Sequence, residues 1–130
     1  MEDNTQTTAP RDAAEAAAAA FAAAKDRPFP DDVFTAPELR WAVIGCGVIA
    51  NQMAESLALA GLRLSGVANR THEKAVAFAE RHGVAKVYDT VEDLYADPEI
   101  DAIYVTTPHN THIRYLRAAL AAGKHVLCEK

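Results

Sequence analysis

Residues 41–50 read Trp-Ala-Val-Ile-Gly-Cys-Gly-Val-Ile-Ala, a short apolar run followed by two glycines and the start of an amphipathic pattern. An uninterrupted apolar run of this length is typical of a buried parallel strand. Strand, glycine turn and helix form the context in which a G-x-G-x-x-G/A spacing has a physical meaning, because the helix N-terminus then faces a phosphate. The stretch therefore predicts a turn that binds the pyrophosphate of a dinucleotide.

Each position of this turn has its own requirement. Gly45 permits the tight turn, and Gly47 has no Cβ, so that a pyrophosphate can approach the backbone. Ala50 is small, which allows the helix to pack close to its strand. Val48 and Ile49, in the first helical turn, belong to the same predicted cofactor site. Because alanine replaces the third glycine, the motif by itself is also consistent with a turn that binds no ligand.

The flanking sequence repeats the same alternation. Short apolar runs predict further strands over residues 62–68, 86–88, 102–105 and 125–128. Between them lie helical patterns, and Gly61, Gly83 and Gly123 follow three of these. Thr90 and Asp93 have the spacing of a capping box for a short helix. The pattern predicts an α/β fold, a Rossmann-like doubly wound parallel sheet with helices on both faces, which stops after the fifth strand.

Ligands of such sheets bind at the carboxyl ends of the strands. Three segments are predicted to meet there: residues 45–50, residues 69–71 and residues 106–112. Residues 129 and 130 follow the fifth strand and join them. This edge of the sheet is the predicted functional site.

Residues 1–39 differ in composition from residues 40–130. Residues 1–11 are polar and expected to be disordered. Residues 12–25 are nearly all alanine, which favours a marginal helix with too thin an apolar face to bury much surface. Prolines at 28, 30 and 37 indicate an extended linker. We therefore expect an extension over residues 1–39, weakly ordered in preference to a structured interaction arm, and one dinucleotide-binding domain over residues 40–130.

Charge and cysteine content exclude several classes of function. The net charge of −5 lies wholly in residues 1–39, and residues 40–130 carry ten acids and ten bases. The domain thus has no net field to attract nucleic acid or an anionic membrane. Cys46 and Cys128 have no metal-ligand spacing and are interpreted as small buried residues in preference to a redox pair. No metal site, membrane span or secretory signal is indicated, so a cytoplasmic location is expected.

Residues 39–130 resemble a known protein family. The resemblance is carried by WAVIGCGVIA at 41–50, TTPHNTH at 106–112 and AAGKHVLCEK at 121–130. It is to the N-terminal nucleotide-binding domain of the Gfo/Idh/MocA oxidoreductases, the glucose–fructose oxidoreductase and inositol dehydrogenase family. The first segment is common to many dinucleotide folds, whereas the other two at this spacing are more specific.

The resemblance implies a nicotinamide cofactor and hydride transfer to or from a sugar, polyol or related alcohol. It implies that Lys130 is catalytic and lies near the nicotinamide and the substrate hydroxyl, with Glu129 beside it at the cofactor. Thr106 and Pro108 are expected to shape the loop over the cofactor. Asn110, or the next threonine, is expected to cap the helix that follows. His112 is placed on its cofactor side, although a local hydrogen bond is an equal alternative for this histidine.

This sequence departs from the family pattern in two ways. Family members continue into a second α/β domain that supplies substrate contacts, and their last motif is Glu-Lys-Pro, whose proline would follow Lys130. We therefore expect a fragment of a longer oxidoreductase, inactive by itself, whose fifth strand forms an exposed edge that favours association between copies. The alternative function is a non-catalytic module that senses a dinucleotide or binds a partner. A methyltransferase is a weaker third alternative.

The end of the second strand predicts the cofactor. An acid at this position would accept hydrogen bonds from a ribose and repel a 2′-phosphate. Here the residue is Asn69, which has no charge. Arg70 can pair with phosphate oxygens, Thr71 offers a hydroxyl and an N–H group at a helix start, and Lys74 adds positive charge. The sequence therefore favours NADP over NAD.

Overall fold

The computed structural model describes residues 15–16 and 38–130. Residues 15 and 16 are helical. The predictions of disorder over 1–11, of most of the alanine-rich helix and of the proline linker fall outside the described residues.

Strands and helices alternate through the described part of the domain, as the sequence predicted. The elements in chain order are β1 (Trp41–Ile44), α1 (Val48–Leu59), β2 (Gly66–Ala68), α2 (His72–His82), β3 (Lys86–Val87), α3 (Val91–Ala96), β4 (Ala102–Val105), a 3₁₀ turn (His109–Thr111), α4 (His112–Ala121) and β5 (His125–Cys128). No helix among the described residues has the length and apolar character required to cross a membrane.

The sheet is parallel throughout, with the strand order β3-β2-β1-β4-β5. The chain runs outward from β1 to β3, then crosses back to place β4 on the other side of β1. Ile44 is in register with Ala68 on one side and with Val105 on the other, so the three central strands end at the same level. This confirms the Rossmann-like doubly wound fold and puts its switch point beside the glycine turn.

Helices cover both faces of the sheet. Ile44 points to the face where Leu94 of α3 and Tyr115 of α4 are buried. Val43, the neighbouring residue of β1, points to the opposite face, against Ala50 of α1 among others. Successive residues of a strand face opposite sides, so a strand covered on both sides must be apolar throughout. The short apolar runs of the sequence have this cause.

Two predicted strands are too long. Residues 62–65 lie outside β2, because pairing with β1 and with β3 begins only at Gly66. Tyr88 lies outside β3, although its N–H still donates to the carbonyl of Val67 at 3.0 Å. The Tyr88 ring lies against Gly66, where an added Cβ would be 2.5 Å from the ring. The strand pattern in the sequence therefore continues past the residues that have partners.

The helix starts agree with the sequence only in part. The hydroxyl of Thr90 accepts from the N–H of Asp93 at 3.1 Å, as the capping-box spacing predicts. Thr71 precedes α2 but makes no side-chain cap. The prediction that Asn110 or Thr111 caps α4 is wrong, since no side-chain cap is made and a 3₁₀ turn comes first. The Thr111 hydroxyl instead donates back into the preceding loop, to the carbonyl of Pro108 at 2.6 Å.

Candidate functional site

Gly45 is required by the fold. Its φ is +103°, in the region that favours glycine, and an added Cβ would lie 2.7 Å from Oγ1 of Thr106. Thr106 cannot retreat, because its N–H and its hydroxyl both donate to the carbonyl of Ile44 at 3.0 Å. Gly45 therefore lets the loop after β4 pass directly over the end of β1. Neither Gly45 nor Thr106 lines the cleft described below; both shape it.

Gly47 has no such requirement. Its φ of −81° and ψ of −165° are extended values that any residue adopts, and nothing lies within 4 Å of a Cβ built on it. The residue is exposed and precedes α1 directly. The space left by its missing side chain opens into a cleft, which is the arrangement that a pyrophosphate needs to reach a helix N-terminus.

The cleft has a volume of about 410 Å³ and lies at the carboxyl ends of β1, β2 and β4. Six predicted site residues line it: Gly47, Asn69, Arg70, Thr71, Pro108 and Asn110. Six further residues complete the lining: Cys46, Lys74, Thr107, Thr111, Arg114 and Tyr115. The structure thus brings together the three segments that the sequence placed at this edge.

The charge of the cleft is positive. Arg70, Lys74 and Arg114 line it, and the described lining residues include no Asp or Glu. Within residues 38–130, none of these three bases forms an ion pair. Arg114 lies 4.7 Å above the centre of the Tyr115 ring and donates to its hydroxyl at 3.0 Å. Three unneutralised cations around one concavity are an anion site in physical terms.

The loop between β2 and α2 is ordered by its own side chain. The amide nitrogen of Asn69 donates to the carbonyl of Thr71 at 2.9 Å, across the residue between them. Arg70 is exposed at the top of this turn. An asparagine that bonds two residues along is a common way to hold such a turn. The absence of a carboxylate at this position is the feature on which cofactor choice depends.

His112 is held locally. Its Nε2 lies 2.6 Å from the carbonyl of Thr107, and because a carbonyl only accepts, the ring nitrogen donates. The bond spans the 3₁₀ turn and braces the loop that carries Pro108. His112 does not line the cleft, and of the two alternatives for this residue the geometry favours the local one.

Glu129 and Lys130 lie at the same edge of the sheet but outside the cleft lining. The N–H of Glu129 continues the β5 pairing by donating to Val105 at 2.9 Å. Its carboxylate accepts from the hydroxyl of Tyr104 at 2.5 Å, and this bond holds the pKa of Glu129 below its usual value. The same bond raises the pKa of Tyr104 to about 12. Lys130 is exposed.

The first helical turn shows a similar division. Ala50 is fully buried beneath the turn, as its small size predicts. Val48 and Ile49 are exposed, the former to 72% of its surface, and neither lines the cleft. They stay predictions for contacts beyond it.

Cys46 lines the cleft but is not a reactive thiol. Burial raises its pKa to about 11, against a smaller opposing effect of Lys74. The thiol is therefore neutral at pH 7 and a poor nucleophile. Cys128 is also half-buried and free. These positions agree with the interpretation of both cysteines as small packing residues.

Sequence reasoning did not find Arg114 or Tyr115. Their signal is helical spacing, since Arg114 follows Asn110 by four residues and Tyr115 follows Thr111 by four. Two other missed residues are Asn51 and His82. The ring Nε2 of His82 lies 2.7 Å from the amide oxygen of Asn51, and these residues are 31 positions apart. A pair at that separation leaves no local signal.

Comparisons with known proteins agree with this geometry. The chain is similar to a 1,5-anhydro-D-fructose reductase of Ensifer adhaerens, 37% identical over 92 residues that cover 70% of this chain and 28% of the relative. It is similar to a trans-1,2-dihydrobenzene-1,2-diol dehydrogenase of Mus musculus, 37% identical over 95 residues that cover 71% of this chain and 28% of the relative. The chain thus spans less than a third of the length of these curated relatives.

A crystal structure shares the fold. It is that of KijD10, a 3-ketoreductase of Actinomadura kijaniata, in complex with NADP and TDP-benzene. The TM-score is 0.66 and the identity 34%, over 72% of this chain and 29% of that one. The family model of the Gfo/Idh/MocA oxidoreductases, NAD-binding Rossmann fold, matches residues 39–130. The chain therefore belongs to the Gfo/Idh/MocA oxidoreductase family and contains its NAD-binding Rossmann fold.

Proposed function

We propose that residues 40–130 are the dinucleotide-binding domain of an oxidoreductase that transfers hydride between a nicotinamide cofactor and a sugar, polyol or related alcohol. Residues 1–39 are assigned to an extension outside this domain. The observation that carries the proposal is the cleft at the switch point, where Gly47 leaves open space before a helix N-terminus and three bases have no ion pair. The relatives named above, a reductase and a dehydrogenase, support the substrate class.

The residues present fit a dinucleotide. Gly47 and the start of α1 would hold the pyrophosphate, and the loop of Asn69, Arg70 and Thr71 would hold the adenine ribose. Pro108 and Asn110 close the opposite wall. When bound, the nicotinamide supplies the hydride acceptor or donor. The chain itself supplies orientation and charge.

NADP is the favoured cofactor, with NAD as the alternative. A 2′-phosphate adds negative charge beside Arg70, and no carboxylate among the cleft-lining residues repels it. Lys74 and Arg114 add to the positive potential of the same concavity. The complex of KijD10 with NADP is consistent with this choice.

Lys130 is assigned to catalysis in the complete protein. A lysine ammonium can hydrogen-bond the reacting oxygen and stabilise the negative charge that develops on it. Its place after β5, one residue beyond Glu129, sets it at the carboxyl edge of the sheet. The bond from Tyr104 fixes the neighbouring Glu129 carboxylate. Residues 1–130 alone are expected to show no turnover on sugars or polyols.

Association between copies of the chain is also proposed. β5 is an edge strand, and Leu127 on it is 47% exposed. An unpaired strand edge with an exposed apolar side chain is prone to pair with another chain.

Isothermal titration of the purified chain tests the proposed function. NADP should bind with 1:1 stoichiometry, and S-adenosylmethionine at the same concentrations should give no signal. The second ligand distinguishes a methyltransferase, which uses a related fold. Binding of S-adenosylmethionine in place of NADP, or binding of neither ligand, would contradict the proposal.

A further inference from the structure

We propose that Asn51 is a positioning residue of the phosphate turn: its side chain orients the peptide N–H groups of Gly47 and Val48 toward the cleft, and His82 holds the Asn51 amide in place. The inference rests on the proposed function, because it assigns these N–H groups to the pyrophosphate of a bound dinucleotide. It adds two residues that no motif contains.

The geometry is a chain of hydrogen bonds from the end of α2 to the turn. The amide nitrogen of Asn51 donates to the carbonyl of Gly47 at 2.8 Å and to that of Cys46 at 3.3 Å. Its amide oxygen lies 2.7 Å from Nε2 of His82. The His82 ring also packs against Phe78, with ring centres 4.6 Å apart. All three polar contacts of the amide are thus made within the protein.

The backbone of α1 does not need this side chain. The N–H of Asn51 already donates to the carbonyl of Gly47 at 3.1 Å, which closes the first turn of the helix. The side-chain bond is a second donor to the same oxygen, and it extends to the carbonyl before it. Asn51 therefore acts on the orientation of two successive peptide groups and not on the existence of the helix.

Peptide planarity converts carbonyl direction into N–H direction. In a trans peptide the C=O and N–H bonds point in opposite directions, and all described peptide bonds are trans. The carbonyl of Cys46 shares its peptide with the N–H of Gly47, and the carbonyl of Gly47 shares its peptide with the N–H of Val48. Drawing both carbonyls toward Asn51 turns both N–H groups to the opposite side, where Gly47 borders the cleft.

His82 sets which way the amide faces. Asn51 must present its nitrogen to the two carbonyls, because the reversed amide would place its oxygen against theirs. The oxygen then accepts from His82, so the ring nitrogen is the donor. A neutral ring with its proton on Nε2 and a protonated ring both meet this need. Removing the donor would leave the amide free to rotate and the carbonyls without a fixed partner.

The test compares dinucleotide affinity across matched variants. Asn51→Leu keeps the side-chain size and removes the donors, and we expect it to weaken NADP and NAD by the same factor, about tenfold. The ratio of the two affinities should not change. Gln52→Leu, at an exposed neighbouring position of α1, is the matched control and should bind as the unsubstituted chain does.

His82 provides the second pair of variants. His82→Leu should weaken both dinucleotides several-fold, whereas His82→Gln retains an N–H donor and should restore most of the affinity. A purely structural role of His82 would lower the melting temperature without changing the affinity of the folded protein. The rescue by glutamine therefore separates orientation from packing.

A third measurement needs no substitution. In the unsubstituted chain, the amide resonances of Gly47 and Val48 should shift on titration with NADP. If folded Asn51→Leu binds NADP and NAD as tightly as the unsubstituted chain, or if those two amides do not shift, the inference is wrong and the proposed function stands. If the unsubstituted chain binds neither dinucleotide, the proposed function fails and the inference fails with it.

Discussion

At the N-terminal edge of the sheet, Lys86 forms ion pairs with Asp97 and Glu99, and Arg40 forms one with Asp101; at the C-terminal edge, the three bases of the cleft have no acid beside them. Asp97 also accepts from the hydroxyl of Tyr88 at 2.7 Å. These contacts join residues that precede β1, β3 and β4, and so they tie the strands together where they begin.

The bases at the C-terminal edge are arranged differently. Arg70, Lys74 and Arg114 approach one concavity from α4 and from the β2–α2 segment, and mutual repulsion disfavours that arrangement in the free protein. A bound anion would relieve it and so stabilise the folded state. The difference teaches that the two edges of one sheet have separate tasks, structure at the strand starts and ligand binding at the strand ends.

The glycine turn breaks the comparison most severely. Gly47→Val should abolish measurable NADP binding and leave the ligand-free chain folded, because its Cβ enters open space at an ordinary φ. Gly45→Val should instead lose the fold, since a φ of +103° costs about 1–3 kcal/mol and the clash with Thr106 adds to it. Calorimetry and thermal melts of both variants check this. A Gly47→Val chain that binds NADP normally would remove the central site assignment.

Arg70→Ala sharpens the comparison at the ligand-binding edge. The variant should lose most of the preference for NADP over NAD, because its charge-assisted bonds to a 2′-phosphate are lost while contacts to the rest of the dinucleotide stay. The expected loss of NADP affinity is about ten- to hundredfold, with little change for NAD. Arg117→Ala, an exposed arginine of α4 outside the cleft, is the control. An equal effect of both variants would rule out a specific role for Arg70.

Asp97→Asn sharpens the comparison at the other edge, with the smallest expected effect. The hydroxyl of Tyr88, the N–H of Glu99 and the ammonium of Lys86 lower the pKa of Asp97 from 3.8 to about 2. A lowered pKa stabilises the fold above pH 4 and loses this contribution as the pH falls from about 4 through 2. The variant should melt at a lower temperature at pH 7, with a flatter decline between pH 4 and pH 2.

The same variant should bind NADP with unchanged affinity at pH 7, since Asp97 lies outside the cleft lining. Melting curves recorded across pH, together with one titration, measure both properties. A weaker NADP affinity would show that the two edges are coupled.

Much of the fold could be predicted because punctuation and periodicity agree. The bounds of β1, β4 and β5 match the apolar runs, since each run is followed directly by a residue that ends it. β2 was predicted too long because Leu62 and Leu64 extend the apolar pattern, whereas strand length depends on where the neighbours begin. Pairing is a property of the sheet that one segment does not encode.

The candidate site could be predicted in part for the same reason. Asn69 and Arg70 were found because a known turn chemistry fixes their place after a strand. Arg114 required the exact start of α4, which an unforeseen 3₁₀ turn shifts. The contact of Asn51 with His82 depends on how α1 and α2 pack, and no local pattern reports that.

The most direct test of the account is the ratio of the dissociation constants of NAD and NADP for the unsubstituted chain, measured by calorimetry at one ionic strength. The account predicts that NADP binds more tightly by about ten- to hundredfold, the effect of one or two charge-assisted hydrogen bonds to the 2′-phosphate. Equal dissociation constants would contradict it, because the unpaired bases at the strand ends would then play no part in selecting the cofactor.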